Sequence, residues 1–327
     1  MRIVFMGSPD AAAVTLRNIL RSPPLEVVGV VTQPDRPAGR RRKMTSCPCK
    51  AYAQEMSAGP IITPERVNNP EVLDRIEALK PDVIVVVAFG QLLCRRLLDM
   101  APHGCVNGHF SLLPKYRGAA PVQAAVAAGD KVSGVTIMQL DDGMDEGDIL
   151  LKAEEPIYSD DTGESYMERL AILGAVAMVK ALRMMDRGEL KGTPQDHSAA
   201  TYAPKMKKEH GLINWEDSAE SIERHIRAYY PWPGSYTFLP EHAVKNHSTG
   251  RLKVIAAEIE KECENDFCDA VPGMICAAKS AGVVVATGKG CLNLTVVHPD
   301  GSRRMDGRAF LNGHKLEKGD CLRSEVQ

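Results

Sequence analysis

The sequence begins with three short, almost wholly apolar segments, and they limit the fold more than any other feature. The segments are Arg2–Met6, Val27–Thr32 and Val83–Ala88. A segment that is apolar on both faces over the length of one strand predicts a central strand of a parallel sheet, with helices covering both sides. The first two lie roughly 25 residues apart, as in a strand-helix-strand unit. We therefore expect the chain to begin with an α/β domain.

Helical and further strand-like patterns follow in the intervals. Helices are predicted over 10–21, 70–80, 118–129 and 166–187, and strands over 132–140 and 150–158. The turn after the first strand contains only Gly7, where a dinucleotide-binding turn needs three spaced glycines. The first domain is therefore expected to be Rossmann-like in its sheet without binding a dinucleotide.

The pattern changes from residue 211 onward. A helix over 218–229 is followed by short β-like runs at 236–239, 252–259, 273–278, 283–287 and 292–297. Five such runs separated by turn residues predict a small open barrel of the oligonucleotide-binding (OB) type. We expect a catalytic domain over 1–189, a linker over 190–207 and a smaller OB-like β-barrel domain over 208–327. The acidic stretch 258–269 is expected to be a surface loop, to which we assign no function.

The composition of the chain further limits the class of protein to which it can belong. The chain has 327 residues, which is longer than one core usually supports, and a net charge of -2, so a polyanionic partner is not visible in net charge. Met1 leads directly into the first strand, and no run of eighteen apolar residues is present. The nine cysteines form no repeated Cys-x-x-Cys pairs. We expect a cytoplasmic protein with reduced thiols, no bound metal and no membrane association.

Two polar clusters point to a site. Asn107 and His109 close a short apolar segment, and side chains two apart on a strand point the same way. Asp145 lies in a cluster after the apolar run 135–140. If both runs are parallel strands, their carboxyl ends share the rim where open α/β sheets bind ligands. An amide, an imidazole and a carboxylate suit the transfer of a carbonyl group to an amine. A structural histidine and simple Asp-Gly turns would give the same pattern.

The wider motifs resemble the folate-dependent formyltransferases. The resemblance is carried by Asn107-Gly108-His109, Ser111-Leu112-Leu113-Pro114, Arg117-Gly118-Ala119-Ala120-Pro121 and Gly143-Met144-Asp145-Glu146-Gly147-Asp148, with Ile213-Asn214-Trp215 and Pro231-Trp232-Pro233-Gly234 in the second domain. It implies 10-formyltetrahydrofolate as the formyl donor, with no metal, and Asn107, His109 and Asp145 as catalytic residues. The folate-binding residues that it implies are Phe89, Gly90, Leu92, Ser111, Leu112, Leu113, Pro114 and Asp141.

Two residues in these motifs depart from the family pattern. Gly108 stands where a β-branched residue is expected, and Phe110 where a small residue or proline is usual. Neither change removes a catalytic group, but both are expected to alter the packing beside the site.

A basic stretch over 33–43 has no hydrophobic periodicity and is expected to be a solvated loop. Its cations are Arg36, Arg40, Arg41, Arg42 and Lys43. A run of charge is usually only a solvated face. The stretch is similar to a family loop that engages the acceptor end of a tRNA. The resemblance therefore implies initiator tRNA carrying methionine as the partner, with the methionine amine as formyl acceptor and no obligate protein partner.

Three other hypotheses about function stay open at this point. The chain could formylate a different amine, on a sugar nucleotide or on glycinamide ribonucleotide. It could hydrolyse the formyl donor, with water in place of the amine. It could also bind RNA without chemistry, although the combination of Asn107, His109 and Asp145 would then have no purpose.

Overall fold

The computed structural model describes residues 1–39, 42–244, 249–260, 270–278, 282–314 and 316–325. Arg40, Arg41 and the 261–269 part of the acidic stretch lie outside the described residues. The chain divides into two compact units. The first comprises Met1–Pro121, Lys131–Ile157 and Tyr166–Pro204, and the second comprises Val122–Asp130, Tyr158–Ser165 and Lys205–Gln327.

The helices and strands have the following bounds. The helices are α1 Asp10–Leu20, α2 Pro48–Glu55, α3 Pro70–Glu77, α4 Arg95–Leu98, α5 Pro121–Ala128, α6 Gly163–Asp186, α7 Ala219–Ala228 and α8 Gly307–His314. The strands of the first unit are β1 Arg2–Gly7, β2 Glu26–Val31, β3 Arg36–Ala38, β4 Lys43–Thr45, β5 Ile61–Ile62, β6 Val83–Val87, β7 Cys105–His109, β8 Arg117–Gly118, β9 Val132–Gln139, β10 Ile149–Pro156 and β11 Tyr202–Ala203. Those of the second unit are β12 Ser235–Phe238, β13 Arg251–Glu260, β14 Ile275–Ala278, β15 Val283–Ala286, β16 Cys291–Pro299 and β17 Met305–Asp306.

The first unit is built on a seven-stranded sheet, which confirms the predicted Rossmann-like class. The strand order is β10-β9-β7-β6-β1-β2-β5, and the five strands from β7 to β5 run parallel. Every residue of β6 is buried. This burial follows from its uniformly apolar sequence, because a central parallel strand is covered on both faces. The carboxyl ends of β1, β2, β6 and β7 consequently lie on one rim.

Strand β9 runs in the direction opposite to the one expected. It pairs antiparallel with β7, so that His109 faces Thr136 and Val106 faces Gln139. The carboxyl end of β9 therefore lies at the amino end of β7, and the expectation of a shared rim is wrong for this pair. An apolar run reveals that a strand exists and is buried, but it carries no information about strand direction.

The described part of the basic stretch contains strand residues, where only a loop was expected. Strands β3 and β4 form a small antiparallel hairpin in which Arg36 pairs with Thr45. Gly39 at its turn has φ of +68°, a backbone conformation that glycine adopts readily. Strands of three residues are too short to show an alternating pattern, which explains why the sequence predicted only a loop.

The segment expected to be a linker makes extensive contacts within the first unit. Thr193 pairs with Ile149 in an isolated bridge, β11 pairs in parallel with β8, and the Gln195 side chain is buried. The domain limits at 189 and 208 stay predictions.

The second unit is an OB-like antiparallel sheet, as predicted. Its order is β12-β13-β16-β15-β14, with β17 paired to β16. The carboxyl-terminal segment bridges the two edges of this sheet, because Arg323 pairs with Phe238 and Cys321 pairs with Met274. This closure was not evident in the sequence, since each bridge involves a single residue pair.

No helix in the described ranges is long and apolar enough to cross a membrane. Among the described cysteines, six are free thiols, while Cys291 is disulfide-bonded, so the expectation of reduced thiols is wrong for that residue.

The two departures from the family pattern pack against helix α6. A Cβ added to Gly108 would lie 3.5 Å from the terminal methyl of Met178, and a Cβ added to Gly174 would lie 3.5 Å from Phe110 Cε1. The small residue Gly108 thus faces the large Met178 of the helix, and the large Phe110 faces the small Gly174. Because side chains alternate along β7, both departures face away from the side that carries Asn107 and His109.

Replacing Gly108 with alanine should stabilise the first unit. The added methyl would make ordinary contacts, with no neighbour closer than 3.5 Å. Removing the excess flexibility of a strand glycine is worth about 0.5–1 kcal/mol in the free energy of unfolding. Denaturant unfolding measures the change. The matched control is Gly134→Ala in β9, where the new Cβ would lie 2.0 Å from the Ala153 carbonyl oxygen and should destabilise. Destabilisation by Gly108→Ala would contradict the packing described here.

Candidate active site

The predicted amide and imidazole lie at the carboxyl end of β7. His109 is buried, with 6% of its surface exposed, and Asn107 is half-buried. The Asn107 side chain makes no hydrogen bond to any other described residue. Its amide group is therefore available to a bound molecule on the face of the sheet that it shares with His109.

The imidazole of His109 is held between two oxygen groups. Nε2 lies 2.9 Å from the Tyr116 carbonyl oxygen, and Nδ1 lies 3.6 Å from Oδ2 of Asp145. Because a carbonyl oxygen only accepts hydrogen bonds, Nε2 carries a hydrogen and donates it to Tyr116. Proton exchange is thus confined to Nδ1. A separation of 3.6 Å exceeds a hydrogen bond, so Nδ1 can still bind a reacting group.

Asp145 reaches His109 by a route that the sequence did not predict. The loop carrying Asp145 starts and ends at the amino end of β7, where the Leu140 N–H donates to the Cys105 carbonyl oxygen at 2.8 Å and the Gln139 N–H donates to the Asp148 carbonyl oxygen at 2.9 Å. Oδ2 of Asp145 accepts the N–H of Gly118 at 2.8 Å. The expected meeting of imidazole and carboxylate therefore occurs, although the loop and not a shared rim produces it.

The turn after β7 is organised by a buried hydroxyl on β9. Oγ1 of Thr136 donates to the Ser111 carbonyl oxygen at 2.7 Å and accepts the Leu113 N–H at 3.0 Å. Ser111 and Leu113 have no exposed surface, whereas Leu112 and Pro114 are half-buried. Among these predicted folate residues, Leu112 and Pro114 can offer side-chain contacts, while Ser111 and Leu113 shape the turn.

A buried polar cluster lies beside Asp145 and was not predicted from the sequence. Arg117 is 1% exposed, and its Nε and Nη2 donate to Oε1 of Gln195 at 3.2 and 2.9 Å. Nη1 donates to Oε1 of Glu146 at 3.1 Å. Arg117 could have been noticed as a charged residue at the head of an otherwise small and apolar stretch. Gln195 gave no signal, because it lies in a segment without periodicity.

Two adjoining clefts lie near the loop of Asp145. Their volumes are about 660 and 370 Å³, and both are lined by Gln139, Asp141 and Asp148. The larger is within the usual size range of a small-ligand site. Asp141, a predicted folate residue, is thus placed in a cleft, although Asn107 and His109 line neither. The larger cleft is also lined by His103 and Gly104, immediately before β7, so it lies at the amino end of that strand, whereas Asn107 and His109 lie at its carboxyl end.

The remaining predicted folate residues follow β6. Phe89 is 2% exposed and Leu92 is 87% exposed. Gly90 has φ of +81°, and its neighbour Phe89 accepts a hydrogen bond from Gln33 Nε2 at 3.0 Å through its carbonyl oxygen. The carboxyl ends of β6 and β7 are adjacent on one rim, so this segment lies beside the end of β7.

The basic hairpin follows β2, on the same rim. Strands β2 and β7 are separated by two others, which places them about 14 Å apart at the usual spacing between neighbouring strands. Arg36 is paired with Glu65 at 2.7 Å. Arg42 and Lys43 are exposed, and neither forms an ion pair within the described ranges. Arg40 and Arg41 lie outside those ranges.

No group of three or more histidine, cysteine, aspartate or glutamate side chains is arranged to hold a metal ion in the part of the chain that the structure describes.

Comparison with known proteins identifies similar chains. The family described as "Formyl transferase" matches residues 1–182, and "Formyl transferase, C-terminal domain" matches residues 205–315. A methionyl-tRNA formyltransferase of Marinobacter nauticus is 43% identical over 96% of this chain and 97% of that protein. One from Desulfotalea psychrophila is 43% identical over 99% of this chain and 96% of that protein. The fold resembles an N-formyltransferase of Helicobacter canadensis solved with folinic acid and dTDP-3-aminofucose, with a TM-score of 0.62, 18% identity and coverage of 90% and 98%.

Proposed function

Because the chain belongs to the formyltransferase family, we infer that it carries out the reaction named in its full-length relatives. It transfers a formyl group from 10-formyltetrahydrofolate to the free amine of methionine on initiator Met-tRNA, for translation initiation. We further propose that Asn107, His109 and Asp145 perform the transfer.

One observation carries the assignment of these three residues. His109 Nδ1 faces the Asp145 carboxylate at 3.6 Å, next to an Asn107 amide that has no partner among the described residues. The set combines a hydrogen-bond donor, an imidazole with one ring nitrogen not bound to the backbone, and an acceptor for a proton. A purely structural histidine would need neither the carboxylate nor the unengaged amide.

Each residue has a defined task in the transfer. The methionine amine attacks the formyl carbon, a carbon–nitrogen bond forms, and negative charge grows on the formyl oxygen. The Asn107 amide and the protonated Nδ1 of His109 donate hydrogen bonds to that oxygen. The amine loses its proton to the Asp145 carboxylate, directly or through a water, and that proton ends on N10 of the folate when the bond from the formyl carbon to N10 breaks.

The folate contacts are proposals of the same kind. We propose that the donor binds between the segment Phe89, Gly90 and Leu92 and the loop of Asp141, with Leu112 and Pro114 beside it. The adjacency of the carboxyl ends of β6 and β7 supports this arrangement. A cytoplasmic location and the absence of an obligate protein partner likewise stay proposals.

The basic hairpin is proposed to bind the tRNA. Strand β2, which leads into the hairpin, lies about 14 Å from β7 at the usual spacing between strands, so the hairpin starts on the same rim as Asn107 and His109 but not next to them. The hairpin is suited to binding phosphates at the acceptor end of the tRNA while the attached methionine reaches Asn107. Arg36 should contribute less, because its charge is already paired with Glu65.

Formyl transfer should occur to Met-tRNA and not to other acceptors. Radiolabelled 10-formyltetrahydrofolate is incubated with the protein and, in separate reactions, with Met-tRNA, an amino sugar nucleotide, glycinamide ribonucleotide or water alone. We expect label on Met-tRNA. Label only on a sugar nucleotide or glycinamide ribonucleotide, or only in released formate, would overturn the proposed acceptor. Absence of transfer in every reaction would overturn the activity itself.

Replacing Asn107, His109 or Asp145 singly with alanine should abolish most turnover while the fold stays intact. Loss of one group that stabilises the developing oxyanion costs about 2.7–4 kcal/mol, which is roughly a hundredfold to a thousandfold in kcat. Steady-state kinetics and thermal melting measure the two effects. Glu164→Ala, at an exposed position of α6, is the control and should behave like the wild type. Turnover within threefold of the wild type would remove that residue from the catalytic set.

Replacing Arg42 and Lys43 together with alanine should weaken tRNA binding without affecting the folate. Two lost phosphate contacts should flatten the dependence of log affinity on log salt by up to about two units. The Michaelis constant for Met-tRNA should rise, most strongly at low salt, while donor affinity is unchanged. The matched control is Lys180→Ala with Arg183→Ala, which removes two exposed cations from α6. An unchanged salt slope would show that the hairpin does not contact tRNA, and an equal loss of folate binding would place it in the donor site.

A further inference from the structure

The loop of Asp145 depends on a charge that is buried beside it. Arg117 has 1% of its surface exposed, and its guanidinium cannot lose its proton at accessible pH. Such a group must be fully hydrogen-bonded, because leaving a buried charge unpaired is strongly unfavourable. Its donors point to Gln195 and to Nδ1 of His197, at 3.4 Å, on one side and to Glu146 on the other, so it joins the segment before β11 to the loop itself.

Gln195 passes this contact on to the backbone of the loop. While its Oε1 accepts two hydrogen bonds from Arg117, its Nε2 donates to the carbonyl oxygens of Asp145 and Gly147, each at 2.8 Å. In Gln195 the amide oxygen thus accepts hydrogen bonds, and the amide nitrogen donates them. The orientation of the Gln195 side chain is fixed, because the guanidinium only donates and the carbonyl oxygens only accept.

The backbone of Asp145 needs such support. Its φ is +54°, in the left-handed region that side chains other than glycine seldom adopt. Its carbonyl oxygen is held by Gln195, while its carboxylate accepts the N–H of Gly118, the residue that follows Arg117 in β8. Neighbouring residues of one short strand therefore hold the loop in two ways, through a side chain and through a main-chain amide.

We propose that Arg117 and Gln195 are positioning residues that fix the Asp145 carboxylate opposite His109. They touch neither the formyl donor nor the amine in this scheme, and they act through the loop. The proposal rests on the proposed function for its catalytic consequence, but the placement of the carboxylate can be measured without any reaction.

The variant Gln195→Glu separates positioning from packing. It keeps the shape of the side chain and keeps an oxygen for Arg117, but it replaces the N–H donor with a second oxygen facing the two carbonyl oxygens. We expect kcat to fall between about tenfold and a hundredfold, because small displacements of a catalytic group have effects of that size. The Michaelis constants for both substrates and the melting temperature should stay near the wild-type values. The control Gln54→Glu makes the same chemical change at an exposed position of α2.

Hydrogen exchange at the Gly118 amide supplies the second readout. This N–H donates to the Asp145 carboxylate in the wild type, so it should be protected. In Gln195→Glu and in Gln195→Ala, exchange at Gly118 should accelerate to the rate seen in Asp145→Ala, while amides of β1 and β6 stay protected. Arg117→Lys, which cannot form the forked contact, should accelerate it as well.

The outcomes are distinct. Wild-type kcat and wild-type Gly118 exchange in Gln195→Glu would overturn the proposal. Failure of both Gln195 variants to fold would also overturn it, because the pair would then be a structural requirement. If the wild-type protein transfers no formyl group at all, the proposed function fails, and the Gly118 exchange rates still decide whether Arg117 and Gln195 place the carboxylate.

Discussion

The arrangement of the site follows from the burial of one charged side chain. Arg117 is enclosed within the first unit, and its five N–H groups must find acceptors there. Meeting that requirement joins β8, the loop after β9 and the segment before β11, which lie far apart in the sequence. Asp145 lies at the point where these three parts meet. The carboxylate of the site is thus held in place because a cation nearby has to be satisfied.

The sheet supplies the other half of the site. Parallel strands deliver His109, the Phe89 turn and the basic hairpin to one rim at fixed intervals, because strand spacing is nearly constant. The imidazole then receives its carboxylate from the opposite direction, through a loop that starts at the far end of β7. The site therefore combines groups fixed by sheet geometry with one group fixed by a polar cluster.

Much of this could be predicted from the sequence, and the failures share a physical cause. The strands, the long helices, the OB-like unit and the identities of Asn107, His109 and Asp145 as candidates all came from local patterns or motif resemblance; the catalytic roles stay proposals. The sequence did not predict three features: the direction of β9, the hairpin of β3 and β4, and the role of Gln195. Each of these depends on contacts between residues distant in sequence, or on segments too short for a period to appear. Gln195 illustrates the limit, since nothing about its neighbours distinguishes it from a solvated glutamine.

The complementary side-chain sizes at the contact between the β7 segment and α6 limit which substitutions this chain can accept. Gly108 faces Met178, and Phe110 faces Gly174, so the four positions form one interlocking surface. A chimaera that takes β7 from a relative with larger and smaller residues at those two places, but keeps α6, would bring two bulky groups together and leave a void beside them. The strand and the helix are therefore epistatic: a side chain much larger than that of alanine at position 108, or a much smaller one at position 110, requires a matching change in a helix some seventy residues further along the chain.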